Sequence, residues 1–152
     1  MIRSIFTLIG IVLLTLTFVG CNSADYKDYE PTPYAETNFS ENVKLSIKGT
    51  KVTTVTNEIT LVFENLTNED YTFGKEFIIE VLHKKKWLVV PYKSDIGWDG
   101  IGYVVQANDT IENTIVLSHA YDELPEGQYR IIKKIMNTKL AKEYIIAEFK
   151  IE

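Results

Sequence analysis

The sequence predicts an all-β chain folded as an antiparallel β-sandwich of about seven to nine strands, preceded by a signal helix and an extended tether. Three observations carry that expectation. Apolar residues recur at every second position in short segments between Val43 and Ile151, the period of a strand with one buried face. Clusters of Asn, Asp, Gly, Lys and Thr separate those segments, as turns do in a sandwich or barrel. Behind the first twenty residues no long stretch keeps a helical period, which argues against helices alternating with a parallel sheet.

The chain opens on MIRSIFTLIGIVLLTLTFVGC: a cationic start at Arg3, an apolar run from Ile5 to Val19, and small Gly20 before Cys21, the only cysteine. This is the layout of a cleaved secretory segment. A transmembrane helix needs about 20 apolar residues; this run is shorter and holds Thr7, Thr15 and Thr17. A core helix would be amphipathic, whereas this segment is apolar all round. Phe18-Val19-Gly20-Cys21 resembles the lipobox of bacterial lipoproteins, with Phe18 where leucine is usual. That resemblance implies cleavage after residue 20 and a diacylglycerol joined to the sulfur of Cys21. The protein would then sit on the extracytoplasmic face of a bacterial membrane, its partner there being the bilayer itself. Two acyl chains hold far more firmly than one. With Cys21 occupied by lipid no disulfide can form, so the fold must stand on its core.

Losing residues 1–20 removes one arginine and no acid, so the net charge of −5 becomes −6 over 132 residues. That length supports one domain with a real core and not two. The acidic balance disfavours nucleic acid, whose phosphates select Lys and Arg, and a domain lying flat on anionic lipid. Residues 21–40 read as a flexible tether, polar and interrupted by Pro31 and Pro33. Its Tyr26, Tyr29, Tyr34 and Phe39 leave a second reading open, in which they dock on a partner or pack on the domain.

Residues 41–152 then read strand after strand. Val43, Leu45 and Ile47 share one face; Ile59, Leu61 and Phe63 share another within Glu58–Asn65. Asn65 to Asp70 is a turn, rich in side chains that bond their own backbone. Phe77–His83 and Trp87–Val90 form a hairpin about Lys84-Lys85-Lys86, with Trp87 read as core. Ile101–Val105, Thr110–Leu117, Gln128–Ile135 and Glu143–Ile151 complete the set. A short helical turn fits either Ser118–Leu124 or Asn137–Lys142.

Leu124-Pro125-Glu126-Gly127-Gln128-Tyr129 leads straight into the strand Arg130-Ile131-Ile132. In immunoglobulin-type sandwiches a tyrosine at such a strand start bonds backbone at the preceding corner, and Tyr129 is the structural tyrosine in question. Together with Asn65-Leu66-Thr67-Asn68-Glu69-Asp70-Tyr71-Thr72-Phe73-Gly74 and the Trp-bearing Lys86-Trp87-Leu88-Val89-Val90-Pro91, this segment resembles the immunoglobulin-like lipoproteins of Gram-positive bacteria. The resemblance covers about Val43 to Ile151. It implies an immunoglobulin-like sandwich and brings no catalytic residues with it.

Residues that could carry chemistry are few. His83 ends a strand beside three lysines, which disfavours a metal cation. Ser118, His119 and Asp122 share one loop, whereas a catalytic triad converges from separate segments. No His or Cys pair has metal-ligand spacing, and the loop aspartates lack the dense calcium-loop pattern; neither metal nor cofactor is expected. Lys84–Lys86 reads as a solubilising turn that blunts edge pairing, or, together with Lys133-Lys134, as a basic patch. Asn38, Asn65 and Asn108 satisfy a glycosylation pattern, but their turn positions explain them without sugar. Trp98 lies in the Gly-rich loop between Ser94 and Gly102, either as an exposed anchor beside Tyr92 or folded back over the sandwich end.

The functional expectation is a non-enzymatic, lipid-anchored envelope module. It would contact an unidentified envelope or extracellular protein through loops bearing Tyr92, Trp98 and Tyr121, since rigid scaffolds carry function on loops. The alternative is a proteinase inhibitor. The Trp-bearing hairpin and the Pro-x-Gly-x-Tyr corner are also similar to an intracellular serine-proteinase inhibitor family, and immunoglobulin-fold inhibitors of cysteine proteinases exist. The export signal departs from the first of these.

Overall fold

The alternation resolves into nine strands in a computed structural model that describes residues 25–49 and 51–152. The expected signal segment 1–20 and Cys21, the expected lipidation site, lie outside the described residues. The strands are β1 (Val43–Ile47), β2 (Glu58–Asn65), β3 (Tyr71–Gly74), β4 (Ile78–His83), β5 (Lys86–Val89), β6 (Gly102–Val105), β7 (Thr110–Val116), β8 (Gly127–Asn137) and β9 (Lys142–Ile151). The helical turn falls at α1 (Leu117–Ala120), in the first of its two expected places, while β8 and β9 are joined by a hairpin. No helix among the described residues is long and apolar enough to cross a membrane.

One sheet is three-stranded, in the order β1–β2–β7; the other has six strands centred on β8. Every strand pair is antiparallel. The inward faces close as the period-two pattern requires: Ile59, Leu61 and Phe63 of β2 are buried against the opposite sheet. Phe63 stacks on Phe73 of β3 with ring centroids 4.0 Å apart, which ties the two sheets at the centre of the core. Strand β3 has no counterpart among the expected strands. Its four residues follow a turn cluster and end in a glycine, too short a run for alternation to reveal.

One edge of β8 pairs with β9 over ten positions, Gly127–Met136. Its other edge takes β4 along its first half and β3 along its second. Between Phe73, opposite Ile135, and Ile78, opposite Ile132, the outer strand holds two more residues than β8 does. Such an insertion leaves backbone groups unpaired and bends the strand. Lys133 fills the gap. Its ammonium donates to Gly74 O at 2.6 Å and Glu76 O at 2.7 Å, over the Phe73 ring. Burial pushes this amine down to about 8, with Glu76 opposing that shift.

Two corners are fixed by side chains that the sequence marked. The Tyr129 hydroxyl donates to Pro125 O at 2.7 Å, the geometry of a tyrosine corner. Gly127 makes room for that ring: a Cβ there would lie 3.1 Å from its Cε2. Asn65 is buried and joins two loops, donating to Glu69 O and Gln106 O while accepting from Thr67 N.

The stretch expected to be a free tether is laid along the domain from Asp25 onward, and the reason is apolar and charged surface that needs cover. Glu30 O accepts from Val89 N, and Thr32 N donates to Trp87 O, so this strap adds to the outer edge of β5. Residues 33–39 then cross the outer face, where Tyr34 packs on Tyr144 and Phe39 bridges to the same residue. Beneath them lies Arg130, fully buried, with Nε 2.7 Å from Glu80 Oε2 and Nη1 2.7 Å from Glu36 Oε1. Thr32 donates to the other oxygen of Glu80. The guanidinium is held between the Trp87 and Phe39 rings, 4.5 and 5.1 Å from their centroids. Trp87, read as core, is therefore half-buried on the outer face, with a cation as its partner. The tyrosines follow the packing alternative: Tyr26 and Tyr29 lie against the core.

Candidate functional site

The two sheets part on the side where β6 and β7 form their free edges, and a cleft of about 430 Å³ opens there. Phe77 forms its floor, just after the Lys133-filled bulge. Tyr103 of β6 lines one wall and Asn113 to Val116 of β7 the other. Gly97, Trp98 and Asp99 descend from the Gly-rich loop, and His119 rises from α1.

Trp98 is positioned by three rings. Phe77 and Tyr92 meet it at 5.4 and 6.1 Å in edge-on geometry, and His119 at 5.1 Å. The His119 ring nitrogen Nε2 is 3.1 Å from Gly97 O, tying α1 to the loop. Trp98 is half-buried: the indole folds back over the sandwich end, and its remaining surface lines the cleft. At the rim Lys75 Nζ meets Asp99 Oδ2 at 2.6 Å. The hydrogen bond to that lysine lowers the Asp99 carboxyl, and the same contact raises Lys75.

The other two expected contact residues serve the frame. Tyr121 is buried; its hydroxyl accepts from Ile79 N at 2.9 Å and donates to Phe77 O at 3.2 Å. Its ring is packed inside the end of the sandwich with almost no exposed surface, unlike the exposed contact expected from its loop position. Tyr92 is half-buried and donates to Phe77 O at 2.8 Å, while burial pushes its hydroxyl up to about 12. Burial raises Tyr121 too. Tyr92 packs directly on Trp98, and Tyr121 packs behind it on Tyr92 and Phe77.

Ser118, His119 and Asp122 do not converge. Ser118 N donates to Asn57 Oδ1, His119 is bound to Gly97, and Asp122 lies 3.7 Å from Lys93. Among the described residues no three His, Cys, Asp or Glu side chains gather as a metal site would require. The cleft offers aromatic faces, one amide, one imidazole and an ion pair, which equips it to hold a ligand by stacking and hydrogen bonds. Lys75 and Asn113 were absent from the sequence reading. They come from two separate segments, and no local pattern links them.

Comparison with known proteins yields a family and a set of distant folds. No curated protein matches the chain. Solved structures with similar coordinates include the structural-genomics target SoR45, 12% identical, covering 74% of this chain and 87% of that one, at a TM-score of 0.46. The archaellum periplasmic stator protein FlaG from Sulfolobus acidocaldarius is 14% identical over 70% and 99% of the two chains, at 0.37. Self-complemented MyfA, the major subunit of Myf fimbriae from Yersinia enterocolitica, solved with galactose, is 15% identical over 75% and 99%, at 0.39. The sequence profile of the bacterial Ig-like domain matches residues 40–147, from the end of the strap to the middle of β9. The chain belongs to the bacterial Ig-like domain family.

Proposed function

We propose that this protein is a lipid-anchored, extracytoplasmic binding module whose ligand enters the Trp98 cleft. The reading is non-catalytic: the domain supplies a rigid frame, and Cys21 supplies attachment. Its carrying observation is the cleft itself, where an indole held by Phe77, Tyr92 and His119 keeps part of its face open. A half-open Trp in a fixed setting is the type of residue that anchors interfaces. The lipobox-like Phe18-Val19-Gly20-Cys21 supports the address.

Two experiments test the two halves. Blocking lipoprotein signal peptidase should leave uncut precursor, and Cys21→Ser should release the protein from membranes; unchanged processing and retention would remove the anchor. For the cleft, envelope proteins retained by immobilised residues 25–152 should be lost on Trp98→Ala and kept on Leu140→Ala, at an exposed hairpin tip. Equal retention by both variants would remove the cleft from the reading. Inhibition in a proteinase panel would move the function to the alternative class.

A further inference from the structure

We infer that the Lys84-Lys85-Lys86 turn is a membrane contact, resting on anionic phospholipid of the bilayer that holds Cys21. The inference rests on the lipid-anchor reading above and adds to it the orientation of the domain. The three lysines form the tip of the β4–β5 hairpin and are exposed. Lys84 and Lys85 have φ of 49° and 66°. Both central positions of this two-residue turn are thus left-handed, a conformation that Asn and Gly adopt at lower cost. The sequence keeps two lysines at positions whose backbone favours other residues, with Lys86 directly after them.

The expected solubilising role does not account for them, because the edge of β5 is already covered by the strap at Glu30 and Thr32. Nor do they neutralise acids: among the described residues no carboxylate lies in ion-pair range of any of the three. Residues 1–24 contain no Asp or Glu. The strap beside this tip begins with Asp25, which is paired with Lys27 at 3.1 Å, and carries Asp28 and Glu30.

Chain length then places this turn at the bilayer. The Tyr26 ring lies 5.0 Å from that of His83, the residue before Lys84. Cys21 is five residues before Tyr26, a reach of about 18 Å at full extension. An acylated Cys21 therefore keeps the lysine tip within a few tens of ångströms of the headgroups. The remaining domain is acidic, so an anionic surface attracts this tip and repels the other faces. The cleft lies at the opposite end of β4, whose six residues from Ile78 to His83 span about 20 Å. Standing on the lysine tip, the domain presents the Trp98 cleft away from the membrane.

The test uses the membrane-extracted, full mature protein in vesicles of phosphatidylcholine, with or without phosphatidylglycerol. Lysine amines are labelled by a membrane-impermeant acylating reagent and quantified by mass spectrometry. Phosphatidylglycerol should slow labelling of Lys84, Lys85 and Lys86 roughly tenfold, in keeping with the attraction of several adjacent lysines to an anionic leaflet. High salt should abolish that protection. Lys139, at the far hairpin between β8 and β9, should label equally in both vesicles. Equal labelling of the three lysines in both vesicles, with the diacylglyceryl mass present on Cys21, would overturn this inference alone. An N-terminal peptide lacking that mass would overturn the anchor reading and this inference with it.

Discussion

Lys133 and Tyr129 show how single side chains set the frame. Lys133 interrupts an apolar run on β8, and its ammonium is spent on carbonyls that the bulge leaves unpaired. With its amine held near 8 in the folded chain and an ordinary lysine near 10.4, the unfolded chain keeps a proton that the folded chain gives up. Stability should therefore rise with pH between about 8 and about 10, by up to roughly 1.4 kcal/mol per unit. Burial raises the hydroxyls of Tyr121 and Tyr129, so the unfolded tyrosines ionise first and stability falls again above about 10. Urea midpoints between pH 7 and 11 should show that maximum, and Lys133→Met should flatten its rising limb. At the corner, Tyr129→Phe leaves Pro125 O without its donor. The expected loss is about 1–2 kcal/mol in urea unfolding with the m-value unchanged; an unaltered midpoint would mean that water replaces the hydroxyl.

At the scale of elements, the strap is the largest departure from what composition suggested. Polar, proline-bearing segments usually stay extended and solvated, yet this one covers the buried cross-strand pair of Arg130 and Glu80 and adds Glu36 and Thr32 to it. Breaking a buried pair costs more than replacing both partners, because the remaining charge is left desolvated. Arg130→Ala should destabilise the domain by about 3–5 kcal/mol. Arg130→Met combined with Glu80→Leu should cost less than that single change. A double variant as weak as Arg130→Ala would show that the strap depends on the charges themselves. The sequence did hold a signal here: Arg130 and Lys133 are charges on either side of the apolar Ile131-Ile132 within one strand. What it lacked was the partner, since Glu36 and Glu80 stand far away along the chain.

For the whole molecule, the family boundary and the physical boundary differ. The family profile begins at residue 40, whereas the edge of β5 and the outer face over Arg130 are closed by residues 30–39. A chain of residues 40–152 should therefore keep the sandwich but lose stability relative to residues 25–152. Its Trp87 emission should shift to the red, and amide exchange at Val89 should accelerate. Identical urea midpoints for the two chains would reduce the strap to a passive passenger. On the proposed anchor reading, the same covering would shorten the link between Cys21 and the domain and so favour one orientation over free rotation.

The sequence by itself determined the sandwich, its turns and its tyrosine corner, because period-two alternation, Asn-rich turns and Pro-x-Gly-x-Tyr are local and each acts on its own few residues. It also singled out Trp98, through the difficulty of burying a large ring in a Gly-rich loop. Only the tertiary structure decided that Tyr121 is buried, that Trp87 faces outward against Arg130, and that the tether is a strap. Those outcomes depend on contacts between residues tens of positions apart, such as Thr32 with Glu80 and Phe77 with Tyr121. Local composition carries no record of such pairings, because their energy exists only once the sheets have closed.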